Sequence, residues 1–279
     1  MQKTETYTEE ILLEPPRGWI NLRLGELWRF RELLYFLIWR DVKVRYKQTV
    51  LGVAWAIIQP VSTMIIFSII FGKLAQLPTD GIPYPIFSFT ALLPWQLFSR
   101  ALGDASSSLL SNQNLITKTY FPRLFLPASS VVGGLVDFGI AFLVLLGMMV
   151  YYHVEFSWRG LLFPAFLFLS LLTALAAGLW LSALNVRFRD FKYITPFLLQ
   201  FWQYATPIAY SSTLIPEKWR TLYSLNPMTG VVDGFRWALL NQELNLGTPF
   251  VVSAVAVIVF FVSGLFYFQR AEQTIADLV

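Results

Sequence analysis

"RDVKVRYKQTVLGVAWAIIQP", residues 40–60, decides the class of fold. Arg40, Lys43, Arg45 and Lys47 stand directly before a lipid-soluble run, and Gln59-Pro60 then interrupts that run. A basic cluster at the start of an apolar helix holds that end on the cytoplasmic side of a membrane, because Lys and Arg near span ends resist translocation. Pro60 removes a backbone hydrogen bond and bends the helix, and Gln59 needs a partner or water. The segment is expected to face protein or a water-filled path; a packing kink with Gln59 bonded to a neighbouring helix is the alternative.

The whole chain agrees with this opening. Of 279 residues, 56% are hydrophobic, 17% aromatic and only 14% charged, whereas soluble domains carry about 25% charged residues. This is the composition of an all-α integral membrane protein. The net charge of +4 does not point to nucleic acid, because the basic residues lie between or before apolar blocks and form no separate basic domain. No cysteine is present, which excludes disulfides, thiolate metal sites and thiol nucleophiles. The start, MQKTETYTEE, has neither the basic nor the apolar region of a cleaved signal peptide.

A helix needs roughly 20 mostly apolar residues to cross the hydrocarbon core. Six stretches qualify, near 50–72, 85–108, 127–151, 160–184, 193–211 and 248–268. They divide the chain into a cytoplasmic segment, 1–49, and a six-span transmembrane domain, 50–279. With the N-terminus inside, the cytoplasmic segments hold Lys3, Arg17, Arg23, Arg29, Arg31, Arg40, Lys43, Arg45, Lys47, Lys118, Arg123, Arg187, Arg189, Lys192 and Arg270. The outer segments hold only Lys73, Arg159, Lys218, Arg220 and Arg236. Both termini, 110–126 and 186–192 are therefore expected in the cytoplasm.

Residues 22–47 are more organised than an anchor requires. Leu24, Leu27, Trp28, Leu34, Tyr35 and Ile38 recur at helical spacing, although Arg31 falls within that stripe and Leu33–Trp39 is apolar all round. An amphipathic helix in the headgroup plane fits the pattern, and it would also offer a docking surface for a soluble partner. Three ionisable residues fall inside expected spans: Arg100, Asp104 and Asp137. At ~1.5 Å per residue, Arg100 and Asp137 lie about 12 and about 15 Å from the inner ends of their spans. Their matched depth permits an ion pair, with a transport-path or proton-relay role as the alternative.

Segment 212–245 reads as two helices too short to cross. Pro216 opens PEKWRTLYSL, and Asn226-Pro227 supplies the cap and first residue of PMTGVVDGFRWALLN. A re-entrant hairpin on the outer face fits; a surface loop carrying two helices is the alternative. Catalytic constellations are missing. No GxxxxGK[ST] phosphate loop occurs, the single histidine, His153, stands at a span end, and no paired carboxylates with nearby bases suggest hydrolytic or glycosyl-transfer chemistry.

The runs LWRFRELLYFLIWRDVKVRYKQTVLGVAWAIIQP, NLITKTYFPRLFLP, NVRFRD and SLNPMTGVVDGFR together resemble the membrane subunit of type-2 ABC polysaccharide exporters, with O-antigen permeases nearest and capsule and teichoic-acid permeases next. The resemblance covers essentially the whole chain. It implies a homodimeric, multi-pass permease of a bacterial inner membrane, without catalytic activity of its own. Two copies of a separate ATPase would bind ATP and Mg, and the cargo would be a lipid-linked glycan. It further implies an interface helix over about 22–40, carrying Trp28, Arg29, Arg31 and Arg40. Asn112, Gln113, Asn114, Leu115, Ile116, Thr117 and Lys118 would form an ATPase-coupling element. Pro216, Asn226, Pro227 and Arg236 would belong to an outer gate, while Gln59, Pro60, Arg100, Asp104 and Asp137 are the channel or intramembrane polar positions. Two rivals are weaker. An ion-coupled secondary transporter needs intramembrane acid clusters or inverted repeats, and a membrane-embedded lipid-modifying enzyme needs clustered acids or histidines at an interface; neither pattern is evident.

Overall fold

A computed structural model describes residues 24–47, 52–242 and 247–278. Lys3, Arg17, Arg23, the first residues of the expected interface helix and the first two residues of the expected first span lie outside them. The described residues are mostly helical, with no strand among them: α1 (Leu24–Arg29), α2 (Arg31–Lys47), α3 (Gly52–Phe67), α4 (Tyr84–Ser111), α5 (Gln113–Lys118), α6 (Phe125–Tyr151), α7 (Phe163–Arg187), α8 (Phe191–Tyr204), α9 (Glu217–Tyr223), α10 (Pro227–Leu240) and α11 (Thr248–Leu278). A π-helical stretch, Ser68–Leu74, prolongs α3, and a short 3₁₀ turn, Trp158–Leu162, leads into α7.

Among the described residues, four stretches are long and apolar enough to cross a membrane: Gly52–Leu74, Phe125–Tyr151, Trp158–Arg187 and Thr248–Glu272. The other two expected spans differ from this. α4 has 28 residues, about 42 Å at 1.5 Å each, but Arg100, Asp104 and the serines at 106–108 dilute its apolar character. Its length is shielded instead by neighbours: α6, α7 and α10 pack around it, and Ile86 to Trp95 are all buried. α8 stops after 14 residues, about 21 Å, because Pro207 cannot continue a helix and biases Thr206 away from helical backbone.

Close helix approach depends on small residues. A Cβ on Gly178 of α7 would stand 2.8 Å from the Ala105 Cβ of α4, and one on Gly264 of α11 would stand 2.8 Å from the Ala176 carbonyl. Such positions let apolar helices gain van der Waals contact where lipid tails offer no hydrophobic drive.

The bundle has two ends. At one end, Leu37, Leu109, Ile116, Phe121, Phe125, Leu179, Leu265 and Phe268 form an apolar cluster, and Arg123 Nη1 donates to the Glu272 carbonyl at 2.6 Å. At the other, Tyr84 Oη donates to the Ala209 carbonyl (2.7 Å), Ser211 Oγ to Asp80 Oδ2 (2.8 Å) and Asn241 Nδ2 to the Glu155 carbonyl (2.8 Å). The loops that basic-residue counting groups together are thus grouped in space.

The helix expected over 22–40 takes a different form. The chain breaks at Phe30, and α2 continues through the basic run to Lys47. It packs along α6 in parallel: Ser129 Oγ donates to Asp41 Oδ2 at 3.2 Å, and farther along Arg45 reaches Asp137. The inward side is Leu33, Leu34 and Leu37, whereas Trp28 and Tyr35, placed in the apolar stripe from sequence, are 71% and 72% exposed. Leu33–Trp39 is apolar all round, so its own periodicity selects no face; contact with the α5–α6 turn selects Leu37.

Candidate functional site

The polar residues of α2, α4 and α6 converge on one carboxylate. Arg45 Nη1 lies 2.5 Å and Arg100 Nη1 3.0 Å from the same atom, Asp137 Oδ2. Arg45 Nη2 donates to Asp104 Oδ2 at 2.7 Å, and Tyr46 Oη donates to Asp137 Oδ1. Burial, reinforced by that hydrogen bond, pushes the Tyr46 phenol up to about 12, so it stays a neutral donor. Two cations thus face two anions, which is what a low-dielectric environment demands of charges held there. The expected Arg100–Asp137 contact is present, but it is one arm of a larger cluster. Arg45, which sequence reading treats as a topological anchor, supplies two further arms. Nothing in the sequence signals that link, since its partners stand 59 and 92 residues away.

Gln59 and Pro60 point differently from each other. Pro60 is buried and Gln59 exposed, and Thr63 Oγ1 donates to the Gln59 carbonyl at 2.9 Å. The Gln59 side chain lies on the outside of this single chain, with Trp55, Ile58 and Ile66 also exposed.

Asn112–Lys118 contains the short helix α5, of six residues. Asn112 Nδ2 donates back to the Ser108 carbonyl at 2.8 Å, closing α4. Ile116 is buried in the inner apolar cluster, so Gln113, Asn114, Thr117 and Lys118 are turned outward. The element thus has one apolar anchor and a polar face turned away from the bundle. Trp28 and Arg29 are exposed, the Arg31 guanidinium stacks over Trp28 at 4.7 Å, and Arg40 pairs with Asp41 at 2.8 Å.

At the opposite end, α9 and α10 follow the expected limits closely. Asn226 Oδ1 accepts from Met228 N at 3.1 Å, capping α10, with Pro227 as its first residue. The same oxygen accepts from Trp202 Nε1 at 2.8 Å, and Asn226 Nδ2 donates to the Ala205 carbonyl at 2.9 Å. The corner between α9 and α10 is therefore pinned beside the end of α8. Residues 205–211 are non-helical, and their carbonyls need donors. Arg236, fully buried, provides them: Nη1 donates to Pro207 O (2.7 Å) and Tyr210 O (3.3 Å), and Nη2 to Ile208 O (2.9 Å). Its guanidinium also lies over the Phe87 ring at 3.6 Å. Pro216 precedes α9 and is exposed. Asp80, not singled out from sequence, accepts from Ser211, Thr213 and Gln242 and joins three loops at this end; its signal was the Thr79-Asp80-Gly81 turn.

α8 also exposes a continuous aromatic face. Tyr193, Phe197, Phe201 and Tyr204, at helical spacing, are each at least two-thirds exposed, while Thr195 on the other side is buried.

Apolar helices around a polar cluster, with short polar-faced elements at each end, form the body of a membrane transporter subunit. The pattern of the ABC-2 type transporter family matches residues 32–240, and the chain belongs to that family. Among relatives, the O-antigen export system permease protein RfbA of Myxococcus xanthus is 32% identical over 252 residues, covering 89% of this chain and 96% of that protein. An RfbA of Klebsiella pneumoniae is 28% identical over 253 residues, covering 89% and 95%. The polysialic acid transport protein KpsM of Escherichia coli is 24% identical over 240 residues, covering 85% and 92%.

Proposed function

We propose that the chain is the membrane subunit of an ATP-driven exporter of lipid-linked polysaccharide, working as a homodimer with two copies of a separate ATPase that carries ATP and Mg. The observation that carries this reading is the end-to-end similarity to O-antigen export permeases, which leaves no large segment of either chain unmatched. The location is a bacterial inner membrane, with both termini, α5 and the 186–192 turn in the cytoplasm. α3, α4, α6, α7 and α11 make five crossings, and α8 with the segment after it makes the sixth. α9 and α10 form the re-entrant outer hairpin that closes the path when idle. At about 10 and 21 Å, neither reaches the ~30 Å of the core.

The exposed aromatic face of α8 supports a sugar cargo. Tyr193, Phe197, Phe201 and Tyr204 offer flat, uncharged surfaces against which the C–H faces of pyranose rings stack, and exposed Gln200 adds an amide. α5 is the element through which the ATPase acts, and α1–α2 seats the subunit at the inner face. Similarity to KpsM favours a second reading, a capsule-type glycan.

The test is deletion in the native cell followed by glycan analysis. Loss of surface glycan with accumulation of the lipid-linked form inside supports export, and the sugar composition separates the O-antigen reading from the capsule one. Unchanged surface glycan refutes both. A thiol scan of the cysteine-free chain tests the topology: position 118 or 190 labelled from outside in intact cells contradicts it.

A further inference from the structure

The cluster around Asp137 has a property that ordinary buried ion pairs lack. α4 and α6 supply Arg100, Asp104 and Asp137, and only Arg45 and Tyr46 come from α2. If the end of α2 withdraws, Arg100 keeps its 3.0 Å contact with Asp137, and Asp104 sits one helical turn along α4 from Arg100, on the same face, where it can share that guanidinium. The side chains of Arg100 and Asp104 are 41% and 45% exposed in the single chain. Breaking a buried pair is usually costly because it strands a charge. Here withdrawal carries the Arg45 charge away with the end of α2 and still leaves Asp137 paired, because two guanidinium groups share its Oδ2 atom.

The rest of α2 is held differently. Leu33, Leu34 and Leu37 pack into the apolar cluster that holds Ile116 of α5. α2 thus has an apolar foot next to the element assigned to ATPase coupling, and a polar head whose bonds are exchangeable. Its head is also where the chain leads into α3.

We propose that Arg45 is a positioning residue for transport: a releasable latch that holds the head of α2 against α4 and α6 in one state of the cycle and lets go in the other. The inference rests on the reading of the chain as an ATP-driven permease. It assigns to α2 a motion in each cycle, and to Arg100 the task of keeping Asp137 paired while α2 is away.

Val42 and Gly133 provide the test. The Val42 Cγ2 atom lies 4.0 Å from where a Cβ on Gly133 would stand, and nothing closer obstructs that position. In the cysteine-free chain, Val42→Cys with Gly133→Cys, oxidised in the assembled complex in proteoliposomes, fastens α2 to α6. ATP-driven export of the lipid-linked glycan is expected to fall by about tenfold and to recover on reduction, with the ATPase still bound. Export at the reduced rate by the cross-linked complex overturns the latch. A second measurement needs no cross-link: with Val42→Cys alone, thiol labelling is expected to quicken about tenfold when ATP is added, and a rate indifferent to nucleotide overturns the latch. A residue that merely supports the fold changes neither ratio. Absence of any ATPase partner in the purified complex defeats the permease reading itself, which separates that failure from a failure of the latch.

Discussion

Replacing Arg236 by Leu removes the donors that hold the non-helical segment 205–211. Three carbonyls, of Pro207, Ile208 and Tyr210, then lose their partner in an environment where Arg236 itself is 0% exposed. Each unsatisfied buried carbonyl costs about 1–3 kcal/mol. Relief of the buried guanidinium's own desolvation, several kcal/mol, offsets part of that sum, while Asp233, 4.0 Å away, loses its neighbouring cation. The net expectation is the ~3–5 kcal/mol typical of removing one partner from a buried charged network. That figure converts, at 1.4 kcal/mol per decade, to an open population of the segment larger by roughly two to three and a half orders of magnitude. Ile208 is 1% exposed, so Ile208→Cys in the cysteine-free chain reports opening through its rate of thiol labelling. Adding Arg236→Leu should accelerate labelling by about that factor. An unchanged rate refutes the claim that Arg236 satisfies this backbone.

Three further outcomes follow from the same geometry. Asp137→Ala should destabilise the protein by about 3–5 kcal/mol, well beyond Arg100→Ala, because it removes the carboxylate that both guanidinium groups share and leaves Asp104 alone to face them, while Arg100→Ala leaves Asp137 paired with Arg45; denaturation midpoints in detergent compare the two. Replacing Asn112–Lys118 by a Gly/Ser linker should leave the chain inserted but abolish ATPase attachment or export, read by co-purification and surface glycan. Asn226→Leu with Pro227→Gly removes a cap worth on the order of 1 kcal/mol and the ties to Trp202 and Ala205; conductance of reconstituted bilayers without ATP should rise, and a seal as tight as the parent's excludes the hairpin from gating.

Local chemistry made the limits of α9 and α10 legible. Asn226-Pro227 announces a helix start, and α10 begins there; the end of α8 at Tyr204 was missed, because the expected span ran on past Pro207 to 211. Apolar length located α3, α6, α7 and α11 for the same reason, since each helix carries its own signal. α4 was legible as a helix, while its apolar content falls short of a span because protein, not lipid, covers it. The inward face of α2 was not legible: Leu33–Trp39 is apolar on every side, so Leu37 was chosen over Tyr35 by α5 and α6, not by periodicity. Arg45 shows the same limit. Its role depends on two carboxylates brought near it by the packing of α2, α4 and α6, and no local pattern encodes that meeting. Arg236 is similar, a basic residue in a short, almost wholly buried helix whose purpose emerges only once unpaired carbonyls lie beside it.

The central claim is that this chain conducts a lipid-linked glycan outward when a partner hydrolyses ATP. The most direct measurement purifies the tagged chain from native membranes with whatever remains bound, reconstitutes it with the host's lipid-linked glycan, and follows transfer of that glycan to the far side of the vesicle wall. The account predicts a co-purified ATPase in equal amount and glycan transfer that starts on addition of ATP and Mg and stops without them. Transfer driven by an ion gradient alone, or no transfer despite a bound and active ATPase, contradicts it.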